Sequence, residues 1–238
     1  MDREEEKRSV YESYIDHHGS FGRRMLKRIL AGKGIVMSQR KISRIMKKLG
    51  LRSKYGRKKG KNVYTSQETE KYIHDNIFAS MTGEEKNAKE IWSMDFTEVK
   101  LGKKKIYTCG IISVKKKILV GYSQGTVCNT ALATMAVRKA IQKYGAPDMI
   151  MTDRGAQFTS KAFFDMITEY GIVHSMSRPH KPIDNRFIET FWKTMKIEMG
   201  KTDLLNEYTY KMVTDYYIYY YNNLRPHSTL GYLPPLAA

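Results

Sequence analysis

Apolar residues recur along this chain in two rhythms, one helical and one of short runs. Phe21, Met25 and Ile29, with Leu26 and Leu30, repeat at helical spacing. Ser20 stands where an N-cap belongs, and Gly32 or Gly34 closes the helix. Ile35 and Val36 cross a short turn. Ser38 then caps a second helix with Ile42, Ile45, Met46 and Leu49 inward and Gly50 at its end. Its opposite face is Gln39, Arg40, Lys41, Arg44, Lys47 and Lys48. Two short helices about a Gly turn, the second strongly basic, form a helix-turn-helix pattern. Before them, Glu4–His18 reads as a short polar helix or a frayed start.

From Val63 to Glu90 the composition is mixed, a linker with one helix around Glu68–Met81. The rhythm then changes. Strands are predicted over Ile91–Leu101, Ile106–Ser113 and Ile118–Ser123, with turns at Gly102–Lys105 and Lys115–Lys117. Thr130–Tyr144 is a helix closed by Gly145 and Pro147. Met149–Thr152 is wholly apolar, as a central strand buried on both faces should be. Helix Ser160–Tyr170, strand Ile172–Ser175 and helix Asp184–Met199 follow, and a Tyr-rich helix spans Tyr208–Tyr221. Three hairpin strands followed by helix–strand–helix–strand–helix predict an α/β fold, a mixed five-stranded sheet with helices on both faces.

Charge changes the picture by its placement. The chain carries +18, yet residues 1–16 sum to −3 and residues 68–238 to only +5. Between His17 and Gln67 stand sixteen Lys or Arg and no acid. A basic module beside a nearly balanced domain predicts a polyanion partner. Within it, Arg52–Lys61 is too basic and Gly-rich to pack and reads as an arm along phosphates, with Arg57, Lys58 and Lys59 at its centre. No run has the length of a membrane span, and MDREEEKRSV offers no export segment, so an intracellular protein is expected. Cys109 and Cys128 sit in apolar surroundings and read as buried thiols rather than ligands.

Among 24 acids, three stand out. Asp95 lies in the first strand. Glu98, three residues on, points to the other face and suits solvent. Asp153 directly follows the apolar strand, where a strand's C-terminal end opens on a crevice. Asp148 and Asp165 fall on a loop and a helix surface, and Asp184 reads as an N-cap. On the last core helix Asn185, Glu189, Lys193 and Lys196 share one stripe, while Phe187, Ile188, Phe191 and Met195 face inward and Glu198 points away. A glutamate beside two lysines is equally well explained as a surface ion pair. If the three acids converge, two carboxylates about 4 Å apart repel by about 4 kcal/mol at an effective dielectric near 20. Such a cluster takes up protons or binds cations, and an all-oxygen set favours Mg2+ or Mn2+ over zinc. Two such ions suit in-line displacement at phosphorus.

Five stretches in order then carry a resemblance: FGRRMLKRIL with SQRKISRIMKKLGLR, WSMDFT, TDRGAQFTS, DNRFIETFWKTMKIE and YYNNLRPHSTLGYLPP, with thirty-five residues between Asp153 and Glu189. The chain resembles the DDE-type, integrase-like transposases of bacterial insertion sequences, and more narrowly the second-reading-frame product of the insertion-sequence-three family. The resemblance implies a ribonuclease-H-like catalytic core preceded by a small helix-turn-helix-like DNA-binding module. It implies Asp95, Asp153 and Glu189 as catalytic metal ligands for two Mg2+ or Mn2+ ions, with Asp95 bridging, and no organic cofactor. It implies donor-DNA contacts at Lys193 and Lys196, matches Asn185 to the family's Asn one turn before the glutamate, and places Gln157 near the site. Arg40, Arg44, Lys47 and Lys48 on the basic helix face, Asn185, and Arg186, which stands where many relatives have a smaller or aromatic residue, are this chain's other expected DNA contacts. The implied chemistry is metal-dependent strand cleavage at the element's ends, followed by attack of the freed 3′-hydroxyl on another phosphodiester.

The expected division is residues 1–62 as the DNA-binding module with its arm, 63–90 as linker, 91–200 as catalytic core and 201–238 as helix and tail. Expected partners are double-stranded DNA, further copies of the chain, and an upstream-frame product as fusion or partner, in the cytoplasm on the nucleoid. His17 and His18 lack nearby cysteines, so no zinc is expected. His174 and His180 suit hydrogen bonding. Arg225 and His227 order the tail or touch phosphate; with Tyr232 they do not make a tyrosine recombinase, whose Arg and His residues lie far ahead of the nucleophile. The Tyr-rich helix packs on the core or on a second subunit, its hydroxyls wet. Two other readings of the same acids are a nuclease of this fold and a non-catalytic DNA-binding relic.

Overall fold

The structure, a computed structural model, describes residues 3–54, 72–178, 182–202 and 204–238. Three helices open it: α1 (Arg3–Ile15), α2 (Arg23–Gly32) and α3 (Gln39–Lys48). Val10, Phe21, Leu26, Leu30, Ile42, Ile45 and Met46 bury together between them, so the polar first helix is part of the module. Ser38 caps α3, its side chain accepting from Lys41 N–H at 3.2 Å. Ser20 does not cap α2. That helix starts at Gly22 without a side-chain cap, and the buried Ser20 lends its carbonyl to Ser53 Oγ at 2.7 Å.

The described linker holds two short helices, α4 (Ile77–Ser80) and α5 (Gly83–Ala88), in place of one over 68–81. The reason is local. Asn76 accepts from Ala79 N–H, and Thr82 with Glu85 forms a reciprocal capping box, so each starts a new helix. Residues 63–71 of the expected linker lie outside the described residues.

Strands β1 (Ile91–Leu101), β2 (Lys104–Ser113), β3 (Leu119–Gly125), β4 (Met149–Thr152) and β5 (Val173–Met176) form one sheet in the order β3-β2-β1-β4-β5. The β1–β2 and β2–β3 pairs are antiparallel, and β1–β4 and β4–β5 are parallel. Helices α6 (Thr130–Tyr144) and α7 (Lys161–Glu169) cover one face, burying Trp92, Met94, Ile111 and Ile150. Helices α8 (Arg186–Met199) and α9 (Glu207–Asn223) cover the other, burying Ile112 and Leu119. This is the ribonuclease-H-like mixed sheet with helices on both faces.

Asp184 is not the cap of α8. A 3-10 turn, Pro182–Asn185, precedes the helix. Asp184 is buried in it, accepting from Arg178 Nε and Nη2, both at 3.0 Å, and from Asn76 Nδ2 at 2.6 Å. The guanidinium of nearby Arg178 and the amide of distant Asn76 have captured a carboxylate that locally looks like a cap.

The Tyr-rich helix α9 packs on the core, with Tyr210, Tyr217, Tyr220 and Tyr221 buried. Not all its hydroxyls are wet: Tyr217 Oη donates to Glu198 at 2.9 Å, and Tyr220 Oη meets His17 Nδ1 at 2.9 Å. The second contact ties the N-terminal module to α9. Arg225 adds to it, lying over the rings of Phe21 and Tyr221. Among the described residues no helix is long and apolar enough to cross a membrane.

Candidate active site

The pleat of β1 sorts its side chains. Trp92 and Met94 bury toward α6 and α7, so Ser93 and Asp95 point to the α8 side. Ser93 pairs with Met151 of the parallel β4. Two residues further along both strands, Asp95 comes level with Asp153, which leaves the sheet just past the end of β4. Ile91, Met149 and Met151 pack with Phe187 at the start of α8, which fixes that face. Glu189 sits on α8 two residues later. Topology thus aims three acids from distant parts of the chain at one edge of the sheet.

Their electrostatics agree. The Asp95 carboxyl is pushed up to about 8, first by burial and then by Asp153, with a smaller push from Glu189. Phe96 N–H and Lys196 pull the other way. Glu189 is raised by burial and by Asp153. Asp153 is raised by burial, and the Gly155 N–H donating to its Oδ1 at 2.9 Å opposes this. Three carboxyls that each resist ionisation mark a site short of positive charge. Glu98 lies apart on the surface, paired to Lys105 at 3.0 Å.

The convergence is not closed. Among the described residues no three His, Cys, Asp or Glu stand near enough to hold one ion. Glu189 is exposed and makes no hydrogen bond or ion pair with another described residue, so its side chain can swing without breaking one. The oxygen-only donor set and the charge deficit fit a hard divalent cation.

The walls explain why Asp153 is steady. Thr152 Oγ1 donates to Asp153 O at 2.7 Å and lies 2.9 Å from His174 Nε2. With the hydroxyl proton spent on Asp153, His174 must donate from Nε2. Burial lowers His174 to about 3, so it is neutral. Gly155 leaves room beside Asp153: a Cβ there would stand 2.9 Å from Gln157 Oε1 and 3.0 Å from Asp153 Oδ1, so a larger residue would have to displace these side-chain ends. Gln157 Nε2 reaches back to Cys128 O at 3.4 Å. His180 lies outside the described residues.

Two integrase core domain profiles match residues 85–182 and 170–235, and an HTH-like domain profile matches residues 1–59. The transposase for insertion sequence element IS904 of Lactococcus lactis is 26% identical over 242 residues, covering 99% of this chain and 93% of that one. An uncharacterized transposase-like protein of Haemophilus influenzae is 30% identical over 207 residues, covering 85% of this chain and 93% of that one. This chain belongs to the insertion-sequence transposases with an integrase core. It is therefore a polynucleotidyl transferase of DNA transposition. Among solved structures, the magnesium complex of the HTLV-2 integrase catalytic core covers 62% of this chain and 92% of that one, at 22% identity and a TM-score of 0.47.

The transposase carries a basic groove on its HTH-like module. Arg23, Gln39, Arg40, Ser43, Arg44 and Lys47 line an open depression of about 590 Å³. Lys48 is exposed on the same helix, and Lys41 is held by Glu6 of α1. Arg23 was not singled out from the sequence. It opens α2, and only the packing of α2 on α3 brings it beside Arg44. Arg57, Lys58 and Lys59 lie outside the described residues.

On α8 of the transposase, Arg186, Lys193 and Lys196 are exposed. Arg186 lies over the Phe187 ring, and Lys196 faces Asp95 and Glu98 electrostatically. Asn185 differs from the expected DNA contact: it is 4% exposed, and its amide is spent on β1.

Proposed function

We propose that this transposase cleaves DNA at the ends of its element and joins the freed 3′-hydroxyl to a target phosphodiester, with Asp95, Asp153 and Glu189 holding two divalent ions. The observation that carries this reading is the carboxyl of Asp95, pushed up to about 8 beside Asp153 at a sheet edge that α8 also reaches. Mg2+ or Mn2+ bound there would supply Lewis-acid activation of the attacking and leaving oxygens. Asp95 holds the site's position from within β1, and Asp153 from the end of β4. Glu189 completes it by rotating in from α8. The exposed Lys193 and Lys196 take the phosphate backbone beside it, and Arg186 the strand entering over Phe187.

The HTH-like module then binds the element's ends, with Arg40, Arg44, Lys47 and Lys48 of α3 and Arg23 of α2 on phosphates and bases. Residues 1–62 would be this module with its arm, 63–90 the linker, 91–200 the core and 201–238 the part that locks module to core. Because two ends must be joined, the working form would be an oligomer on double-stranded DNA. An upstream-frame product as fusion or partner, and residence on the nucleoid, belong to the same reading.

A Mg2+-dependent strand-transfer assay on the element's ends tests it. Wild-type protein should nick and join. Asp153→Asn and Glu189→Gln should do neither while binding end DNA as tightly as wild type. Cleavage without joining would make the protein a nuclease, and binding alone would make it a relic. Equal loss of binding in the two variants would overturn the site assignment.

A further inference from the structure

Helix α8 has no cap of its own. Asn185 holds the N-cap position but makes no side-chain cap bond to the helix. Three residues into the helix, the N–H of Ile188 is one of the donors that a helix start leaves without an intrahelical partner. It is met from the sheet: Ser93 Oγ of β1 accepts it at 3.4 Å. The same hydroxyl donates to Asn185 Oδ1 at 2.6 Å, and Asn185 Nδ2 donates to Met94 O at 3.0 Å. Ser93 is fully buried and Asn185 nearly so.

The geometry points to Ser93 and Asn185 as positioning residues that set the separation of Asp95 and Glu189. Ser93 is two residues before Asp95 on the same face of β1. Ile188 and Asn185 stand one and four residues before Glu189. The strand that carries one acid therefore caps the helix that carries another at Ile188 N–H, and two further hydrogen bonds tie Asn185 to the same strand in a buried seam. A polar pair serving only the core would have no need to sit at both roots of the site. Here the backbone of β1 at Asp95 and that of α8 at Glu189 cannot slide past or away from each other without breaking a buried bond, while the Glu189 side chain stays free to turn. Reacting groups tolerate little displacement, since about 1 Å of misplacement can cost on the order of 10²-fold in rate. The inference rests on the proposed roles of Asp95 and Glu189.

The test is a strand-transfer assay with the full chain, Mg2+ and element-end DNA, on Ser93→Ala, Asn185→Ala and their double variant. Each single variant should lower kcat about 10- to 100-fold and raise the half-saturating Mg2+ concentration, with KM for DNA unchanged. Because the residues act as one seam, the double variant should be no worse than the poorer single one. Ser93→Cys, nearly the same size but a poor acceptor, gives a folded comparison should the alanine variants melt, and should show the same split. Losses that multiply, that follow the unfolded fraction in a melting curve, or that fall on KM instead would overturn the inference, as would a fully active Ser93→Cys. Asp153→Asn in the same assay separates the two levels. If it is inactive while the Ser93 variants behave as wild type, only this inference falls. If it still joins ends, both fall.

Discussion

Arg225 closes a two-pronged ion pair on Glu198, its Nη2 2.8 Å from Oε1 and its Nε 3.0 Å from Oε2, with both side chains buried. Glu198 is on α8, on the side of the helix away from Glu189, and Arg225 begins the tail after α9. The pair therefore fastens the tail to the helix that carries the third acid, and the guanidinium also covers Phe21 of the N-terminal module.

Breaking that pair from one side should be costly, because a buried carboxylate would be left without its cation. Arg225→Ala should lower the free energy of unfolding by about 3–5 kcal/mol. Arg225→Lys should recover little of it, since an ammonium cannot reproduce the fork. Urea denaturation of the purified chain measures both. A loss below about 1 kcal/mol, the range of an exposed pair, would contradict this account.

Acid should loosen the module from the core. Burial lowers His17 to about 4, helped by Lys33, His18 and Arg225 and opposed by Asp16. In the unfolded chain the ring titrates near 6.5, so between those values the unfolded state takes up a proton that the folded state refuses. His17 therefore costs no stability above pH ~6.5, and stability is lost as the pH falls toward 4. His18, edge-on to Tyr220 at 4.6 Å, shifts in the same direction. Unfolding midpoints recorded across this range should fall for the wild type and fall less steeply for His17→Phe. Parallel profiles would show that His17 is not the group responsible.

Gly110 pairs with Asp95 across β1 and β2, and the Trp192 ring of α8 lies over it. A Cβ at Gly110 would come within 2.6 Å of that ring, which is buried and cannot step aside cheaply. Gly110→Ala should push α8 off the sheet and carry Glu189 with it, destabilising the fold by about 1–3 kcal/mol. Gly121→Ala makes a matched comparison on the opposite face, where the new Cβ would meet Ala140 Cβ at 2.7 Å and Ala136 O at 2.8 Å. Both variants should melt earlier, but at temperatures where each is folded only Gly110→Ala should lose strand transfer. Equal activities would show that the Trp192 contact does not govern the site.

These contrasts also mark what the sequence could disclose. Elements whose signals are local were readable: β1, α6 and β4 have the bounds that period, caps and the Gly145 stop predict, and Ser38 caps α3. Failures came where a distant partner decides. Asp184 looks like a cap until Arg178 and Asn76, the latter 108 residues away, engage it. Asn185 shares a stripe with Glu189 on a helical wheel, yet Ser93 and Met94 draw it inward. Of the two roles open to Arg225, ordering the tail is the one its contact with Glu198 assigns, and spacing gave no means of choosing. At the candidate site, strand ends and pleat parity pointed Asp95 and Asp153 to one edge. How near Glu189 comes to them is set by the packing of α8 on the sheet, which no periodicity encodes, and it stands exposed, short of a closed cluster among the described residues.

The basic groove makes a quantitative prediction about binding. Non-specific and specific contacts to phosphate release counterions, so log K falls with log salt at a slope of about −0.9 per neutralised phosphate. Arg23 and Arg44 line one groove from two helices. If both contact backbone, Arg23→Ala and Arg44→Ala should each flatten the slope by about 0.9, and the double variant by about twice that. Lys41, already held by Glu6, should change it little when replaced by alanine. If Arg44 instead reads a base edge, its variant should keep most of the slope and lose preference among end sequences. Fluorescence anisotropy of labelled end DNA across a salt series separates these cases. A slope unchanged in the Arg23→Ala/Arg44→Ala variant would mean that DNA does not run through this groove.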